Sequence, residues 1–253
     1  MDIKVVVATH KVYTMPADKM YIPVHAGAAL TSPLPYQGDD TGDNISRKNK
    51  TYCELTCLYW AWKNIDADYI GLVHYRRHFK GKTCAGKWDS ILSETKAEQL
   101  LENVDVILPA KRYYLIETIF SHYAHSHYAK DLEVTEQVLR ERYPEYIPAY
   151  DKVMNSRGAH MFNMMIMKRD VLNEYCTWLF DILAEIERRL DISEYSDFDK
   201  RVFGRISELL LNVWMLHTGR DFAAVKVMHM EGENLSSKCR KLIRRKFRPE
   251  HRA

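Results

Sequence analysis

One stretch decides the fold of this chain, Asp68-Tyr-Ile-Gly-Leu-Val-His-Tyr-Arg-Arg-His-Phe79. Its apolar run from Tyr69 to Val73 has the length and composition of a buried strand. An imidazole, a phenol and two guanidinium groups follow where that strand ends. Ligands of open α/β sheets bind beyond the carboxyl ends of the strands, and guanidinium groups match the geometry of phosphate oxygens. The stretch therefore predicts an α/β protein that binds an anionic ligand at Arg76 and Arg77, with surface ion pairs as the alternative.

The composition is that of a packed protein. Of its 253 residues, 46% are hydrophobic and 28% are charged, which allows a large core and argues against disorder. The formal charge of +3 is too small to indicate a nucleic-acid partner, and we expect none. The length fits one large domain. We expect residues 1–231 to form it and residues 232–253 to be a basic C-terminal tail.

Cysteines and apolar runs predict the compartment. The five cysteines are odd in number and irregularly spaced, without the second pair that a zinc site needs, so we expect reduced thiols. The apolar run at residues 3–8 is too short for a signal peptide, and no stretch approaches the roughly 20 apolar residues that span a bilayer. We expect a cytoplasmic protein, or one peripheral on the inner face of the plasma membrane.

A second strand end carries similar polar groups. The β-branched run at residues 3–8 leads into Thr9, His10 and Lys11, a position where α/β folds contact nucleotides. The alternative is an ordinary polar loop. Residues 16–49 hold four prolines and show no helical or strand period, so we expect a long loop that covers the ligand.

Helical and strand-like patterns alternate along the rest of the chain. Helices are predicted at residues 49–64, 94–101, 131–142, 169–190 and 197–217, and strands at 104–108, 157–167 and 222–228. This alternation predicts a parallel-leaning sheet. At His122 and His125 we expect structural hydrogen bonds before ligand contacts or metal ligation. Glu54 lies among apolar neighbours and either orients a cation such as Arg76 or faces water.

Several blocks together resemble one family. They are Asp39-Asp-Thr-Gly-Asp-Asn-Ile-Ser46, Tyr52-Cys-Glu-Leu-Thr56, Tyr59-Trp-Ala-Trp-Lys-Asn64, Tyr69-Ile-Gly-Leu-Val-His-Tyr-Arg-Arg77, Ser156-Arg-Gly-Ala-His-Met-Phe-Asn163 and Arg201-Val-Phe-Gly-Arg-Ile-Ser-Glu208. They are similar to bacterial capsular and exopolysaccharide glycosyltransferase-like proteins, formerly a domain of unknown function. The resemblance covers the chain up to about Glu231. It implies the A-type glycosyltransferase fold, a single Rossmann-like, mixed, mostly parallel sheet flanked by helices, with a nucleotide-sugar donor.

The chain departs from that fold at its metal motif. The resemblance implies an Asp-x-Asp pair, whose divalent cation bridges the donor diphosphate, at the end of the second nucleotide-contact strand. Here that strand ends in His74, Tyr75, Arg76 and Arg77. Two guanidinium groups can neutralise a leaving diphosphate themselves. We therefore expect these residues, with those that follow residue 8, to bind a UDP-sugar, and we expect no required divalent metal.

Sugar transfer with inversion needs a base near the acceptor hydroxyl. The candidates are Glu208, Asp197 and Asp199. Glu208 lies among leucines in a predicted helix, where partial burial would raise its pKa, and we favour it. Asp197 and Asp199 follow Ser196, an N-cap candidate, and complement the helix dipole, which already explains them structurally. Asp197 is the second catalytic candidate and Asp199 an acceptor or sugar contact.

The resemblance also makes His160 and Asn163 sugar-contact candidates, with Asn163 on the donor; a core strand with satisfied polar side chains is the equal alternative. In the tail, residues 238–252 interleave eight basic residues with Leu242, Ile243 and Phe247, the pattern of a helix on an anionic membrane surface or of a solvated tail.

The resemblance, together with the cationic strand ends, implies a glycosyltransferase. It would move a hexose, galactose or galactofuranose, from a UDP-sugar to a glycan or lipid-linked acceptor in surface polysaccharide synthesis. The alternative is a non-catalytic sugar-nucleotide or glycan-binding module of the same fold.

Overall fold

Two parallel strands form the centre of the sheet, β1 (Ile3–Thr9) and β4 (Tyr69–His74), in the computed structural model, which describes residues 1–114 and 116–231. Both are almost fully buried, which explains why they read as continuous apolar runs. Successive residues of β1 face different cores: Val6 packs into one cluster, while Val5 and Val7 pack into another. A strand whose two faces are both covered must lie between layers of other elements.

The remaining strands complete a nine-stranded mixed sheet, except for β7 and β8, which pair only with each other in a separate two-stranded sheet. In chain order they are β2 (Tyr21–His25), β3 (Gln37–Gly38), β5 (Arg77–Phe79), β6 (Val106–Pro109), β7 (Arg112–Tyr113), β8 (Gly158–Ala159), β9 (Met165–Lys168), β10 (Ala223–Val225) and β11 (Val227–His229). The main path is β10-β6-β9-β4-β1-β2-β3, to which β5 and β11 add an antiparallel extension. Only β9 runs antiparallel to its neighbours on that path, β4 and β6. The predicted mixed, mostly parallel sheet is confirmed.

Helices cover both faces of the sheet. They are α1 (Asn49–Tyr52), α2 (Leu55–Asn64), α3 (Glu94–Leu101), α4 (Ile119–Ser126), α5 (Ala129–Arg142), α6 (Ile147–Met154), α7 (Arg169–Arg189) and α8 (Val202–Thr218). The larger core lies under α2 and α5 to α8, where Tyr175 and Trp214 are among the largest fully buried side chains. Each such apolar side chain contributes roughly 1.5–3 kcal/mol of transfer free energy.

The proline-rich segment at residues 16–49 differs from the prediction, because it contains β2 and β3. Pro23 is tolerated in β2 because β3 pairs only with Val24 and His25. No residue of β3 therefore requires a hydrogen bond from a backbone N–H at position 23. Only Ala26 and Asn49 of this segment reach the candidate site described below. The segment expected to cover the ligand therefore contributes two strands to the sheet edge and only these two residues to the cavity wall.

Three predicted elements are split in the structure. Cys53, with a φ of 52°, separates α1 from α2. The strand predicted at 157–167 is interrupted by Phe162 and Asn163, both of which have left-handed backbone angles. The strand predicted at 222–228 divides at Lys226, because β10 pairs with β6 while β11 pairs with β5. Local periodicity cannot show these breaks, since tertiary pairing causes them.

Within the described part of the chain, no helix combines the length and the apolar character required to cross a bilayer. The predicted basic tail at residues 232–253 lies outside the described residues.

Candidate active site

A cavity of about 820 Å³ lies at the carboxyl ends of β1 and β4. Its walls come from these strand ends, from α1 and the start of α2, from β7 and α4, and from the start of α8. A shallower depression of about 860 Å³ lies at the opposite ends of the two strands and contains four aspartates. We place the site in the first cavity, because it is the one at the carboxyl edge and the one into which the strand-end cations converge.

Eight of the predicted site residues line this cavity: Thr9, His10, His74, Tyr75, Arg76, Arg77, Asp197 and Glu208. The strand-end residues meet because β1 and β4 are adjacent and in register, with Ala8 opposite His74. Thr9 turns the chain out of the sheet by donating its hydroxyl hydrogen to the Lys11 carbonyl over 2.7 Å. The two stretches that the sequence singled out therefore form one wall.

Four predicted residues do not line the cavity. The Lys11 ammonium lies beside it, 5.1 Å from the ring centroid of Tyr75 and 3.4 Å from a carboxylate oxygen of Glu231. His160 is buried, and its Nδ1 lies 2.5 Å from the Pro109 carbonyl oxygen. Asp199 is buried and accepts a hydrogen bond of 2.7 Å from Ser196, which also caps the residues preceding α8.

Asn163, the fourth, is fully buried, so the predicted donor contact is not available to its side chain. Its amide donates to Glu54 Oε1 over 2.7 Å and to the Gly204 carbonyl over 2.8 Å. The Ser207 hydroxyl donates in turn to Asn163 Oδ1 over 2.5 Å. The left-handed turn directs this side chain inward, towards α2 and α8, which a regular strand would not do.

The cavity is strongly cationic. Seven basic side chains line it: Lys50, Arg76, Arg77, Arg112, Lys200, Arg201 and Arg205. The carboxylates in its wall are three: Glu54, Asp197 and Glu208. Seven against three leaves an excess of four positive charges when all are ionised, and a concave surface focuses that field. An anion of high charge density is the ligand that this field favours.

Only Arg76 and Arg77 among these seven cations were predicted from the sequence, and Arg201 and Arg205 are two of the five that were not. Arg205 and Glu208 are three residues apart on one face of α8, and Arg201, which directly precedes that helix, lies seven residues before Glu208. Arg201 donates to the Cys53 sulfur over 3.1 Å, and Arg205 donates to backbone carbonyls at residues 198 and 199. The spacing was visible in the sequence, but only packing shows that this face meets the strand ends.

Glu208 carries the most perturbed carboxyl group of the cavity wall. Burial, reinforced by the charge of Glu54, raises its pKa to about 7, against hydrogen bonding from the Phe162 backbone and the attraction of Arg77 and Arg112. Its side chain is only half-buried, so it keeps access to the cavity. A carboxylate with this pKa exists in both protonation states near neutral pH, which is what proton transfer requires.

The two histidines of the strand ends are kept neutral. Burial lowers the pKa of His74, and Arg77 and Arg76 add to this. Its Nε2 lies 2.6 Å from the Phe162 carbonyl oxygen, which fixes the hydrogen on that nitrogen. Burial also lowers the pKa of His10, assisted by Arg76, Lys11 and Arg201.

At the far wall, Glu117 binds two histidines at once. His122 Nδ1 and His125 Nδ1 lie 2.9 and 2.7 Å from its carboxylate oxygens, and the Tyr114 ring packs on His122 at 4.1 Å. These are the structural hydrogen bonds expected from the sequence. Within residues 1–114 and 116–231, no group of three or more His, Cys, Asp or Glu side chains is arranged to hold a metal ion.

Comparison with known proteins agrees with this architecture. Residues 4–219 match the family described as Domain of unknown function (DUF4422), and the chain belongs to that family. The solved structure titled WbbM bifunctional glycosyltransferase, in its apo form, superposes with a TM-score of 0.85 at 29% sequence identity. The match covers 92% of this chain and 46% of that one, so this chain spans about half the length of the bifunctional protein. No curated protein matches the chain.

Proposed function

We propose that this protein is a glycosyltransferase that moves a hexose from a UDP-sugar to a glycan or lipid-linked acceptor. The observation that carries the proposal is the cavity itself, in which an excess of cations surrounds a half-buried Glu208 whose pKa is about 7. The cations of such a site can bind the diphosphate of a sugar donor, and its carboxylate can accept the proton of the attacking hydroxyl. The likeness to a bifunctional glycosyltransferase at 29% identity supports the same reading.

The donor diphosphate binds at the strand-end wall. Arg76 and Arg77 neutralise the charge that develops on the leaving UDP, and Thr9 and His10 line the same wall. Because guanidinium groups supply this charge, no divalent metal is required. A cation would also be repelled by the excess of positive charge around it.

Glu208 acts as the base. The acceptor hydroxyl oxygen attacks the anomeric carbon of the donor sugar and its proton passes to a Glu208 carboxylate oxygen. The bond between the anomeric carbon and the diphosphate oxygen breaks, and UDP departs with the electron pair. Asp197, exposed at the cavity rim, is the second candidate.

The acceptor lies along the opposite wall, formed by Arg112, Tyr114, His122 and Phe198. Aromatic rings suit the apolar faces of sugars. We propose galactose, as pyranose or furanose, as the transferred hexose, and assembly of a bacterial surface polysaccharide as the context. The enzyme would work in the cytoplasm or on the inner face of the plasma membrane, where the basic tail would bind anionic lipid.

A thermal-shift screen tests the donor site first. The protein is heated with UDP, GDP, CMP and dTDP sugars, each with EDTA and with manganese, because a ligand that binds only the folded state raises the melting temperature. We expect a shift with UDP-sugars that survives EDTA. A shift seen only with manganese would contradict the arginine-held, metal-independent donor site.

Turnover is tested with the donor that binds. We expect release of UDP on addition of acceptor, with slow donor hydrolysis in its absence. Binding without any release of UDP would instead support the sugar-nucleotide-binding module. For the tail, co-sedimentation with anionic vesicles at physiological salt should be lost when residues 232–253 are removed, and equal binding by the truncated chain would contradict a membrane role.

A further inference from the structure

A strained turn lies directly beside the candidate base. Phe162 and Asn163 are consecutive non-glycine residues with φ values of 81° and 50°. Left-handed backbone costs about 1–2 kcal/mol per residue for most side chains, and less for asparagine. Such strain persists only where the surroundings enforce it, and it concentrates at functional sites.

The turn contacts three ionisable groups of the cavity wall. The Phe162 carbonyl oxygen lies 2.6 Å from His74 Nε2, and the Phe162 backbone is close enough to Glu208 to lower the pKa of that carboxyl group. The hydroxyl of Ser207, which directly precedes Glu208 on α8, donates to Asn163 Oδ1 over 2.5 Å. The Asn163 amide donates to Glu54 over 2.7 Å. These groups come from α8, β4 and the start of α2, which are far apart in sequence. Two residues therefore fix the mutual arrangement of all three.

We infer that Asn163 and Glu54 are positioning residues of the proposed reaction, which hold the Glu208 carboxylate in place at the cavity wall. The inference rests on the proposed function for its catalytic meaning. Neither residue needs to touch a substrate, because each acts through Glu208.

The charges that face Glu208 explain why Glu54 is required. Arg77 and Arg112 stabilise the ionised carboxylate. Arg201, whose pKa Glu208 helps to raise, also attracts it, and Tyr114 lies within range. Among these neighbours, Glu54 is the charge that opposes ionisation of Glu208. Without it, the arginines would leave Glu208 a weaker base at neutral pH.

The substitution Glu54→Gln removes the charge but keeps an oxygen that accepts from Asn163. The acidic limb of the pH profile of kcat/KM, with a wild-type midpoint near pH 7 set by Glu208, should move to lower pH. Carbon-13 NMR titration of glutamate side chains, with Glu208→Gln to assign the signal, should show the same displacement without turnover. An unmoved Glu208 titration would overturn the inference.

The substitution Asn163→Gly tests the turn separately, because glycine keeps the left-handed backbone and loses only the amide. We expect kcat to fall roughly 10–100-fold with the affinity for UDP within about two-fold of wild type, as for a base displaced by a fraction of an ångström. Asn155→Gly, at an exposed asparagine after α6, is the matched control. Wild-type kcat in Asn163→Gly would overturn the positioning role.

The two failures are distinguishable. If the wild-type protein turns over no donor, the proposed function fails, while the NMR titration still reports whether Glu54 controls Glu208. If turnover occurs and neither variant changes the pH limb or kcat, the proposed function stands and the positioning role fails.

Discussion

Asp39 is a fully buried carboxylate and Glu208 a half-buried one, and their surroundings are opposite. Asp39 is fully buried and accepts hydrogen bonds from the Gly27 and Ala28 amides at 2.8 and 3.0 Å. The hydroxyls of Ser46 and Thr56 donate to it at 2.5 and 2.6 Å. These donors occupy the roughly four lone-pair sites of a carboxylate. Asp39 therefore fastens the proline-rich segment to α2.

The Glu208 carboxylate has fewer hydrogen-bond donors around it than the Asp39 carboxylate. It receives a backbone hydrogen bond at Phe162, faces the negative charge of Glu54 and keeps access to the cavity. A saturated carboxylate contributes stability, whereas one held short of saturation retains its affinity for a proton. The comparison teaches that the number of donors around a buried carboxylate separates a structural role from a chemical one.

Removing the Glu208 carboxylate should give the largest effect on activity. We expect Glu208→Gln to lower kcat/KM for sugar transfer about 10²–10⁴-fold, because the attacking hydroxyl loses its base. At pH 8 the free energy of unfolding should not fall, since the like-charge contact with Glu54 disappears. Urea titration and a UDP-release assay measure the two quantities. Full activity of the Glu208→Gln variant would show that Glu208, like Asp39, has a structural role only.

Replacing Asp39 should lower the stability of the protein and leave its affinity for UDP unchanged. Asp39→Asn places an amide group against donors and should lower the free energy of unfolding by about 3 kcal/mol or more, as buried donors lose a charged acceptor. Molecules that remain folded should keep near wild-type affinity for UDP, because Asp39 does not line the cavity. An Asp39→Asn protein that unfolds at the same urea concentration as wild type would contradict the structural role of Asp39.

The cavity arginines should affect binding without affecting stability. Arg76 is exposed, so Arg76→Ala should leave the urea midpoint unchanged and weaken UDP binding by about 2 kcal/mol, or about 30-fold, the size of a charged hydrogen bond. Isothermal titration calorimetry measures the affinity. Arg188→Ala, which removes an exposed guanidinium on α7, is the matched control. Equal affinities for UDP in the two variants would remove Arg76 from the donor site.

Glu208 should also make the stability of the protein depend on pH. In the folded protein the pKa of Glu208 is about 7, above its ordinary value of 4.5. Between these values the folded state binds more protons than the unfolded state, so this group lowers stability as pH rises from about 4.5 to 7. The stability advantage of Glu208→Gln over wild type should therefore grow across that range and level off above it. The exposed Glu133→Gln should show no such growth.

Several features were predictable because they depend on local composition. The buried strands at the centre of the sheet read directly as apolar runs, and the two polar strand ends predicted one wall of the cavity. Helices α3, α5 and α7 match their predicted residues to within two positions. Glu208 was identifiable because a carboxylate among leucines has few ways to be solvated.

Other features depended on packing. His160, Asn163 and Asp199 are polar in sequence but turned inward in space, where each meets a partner from an element that is distant in sequence. The strand β2 was hidden by its proline, which an incompletely paired strand accommodates.

Local composition and periodicity predicted the class of fold, the cationic side chains at the strand ends and Glu208 as a candidate base. Only folding brings Arg205 of α8 and Arg201, which precedes it, into the same cavity, and only folding brings the charge of Glu54 within range of Glu208. The two kinds of feature differ because they depend on interactions over different distances along the chain. Hydrophobic periodicity is set by neighbours a few residues apart, whereas the proton affinity of a buried carboxylate is set by charges that only the folded chain brings together.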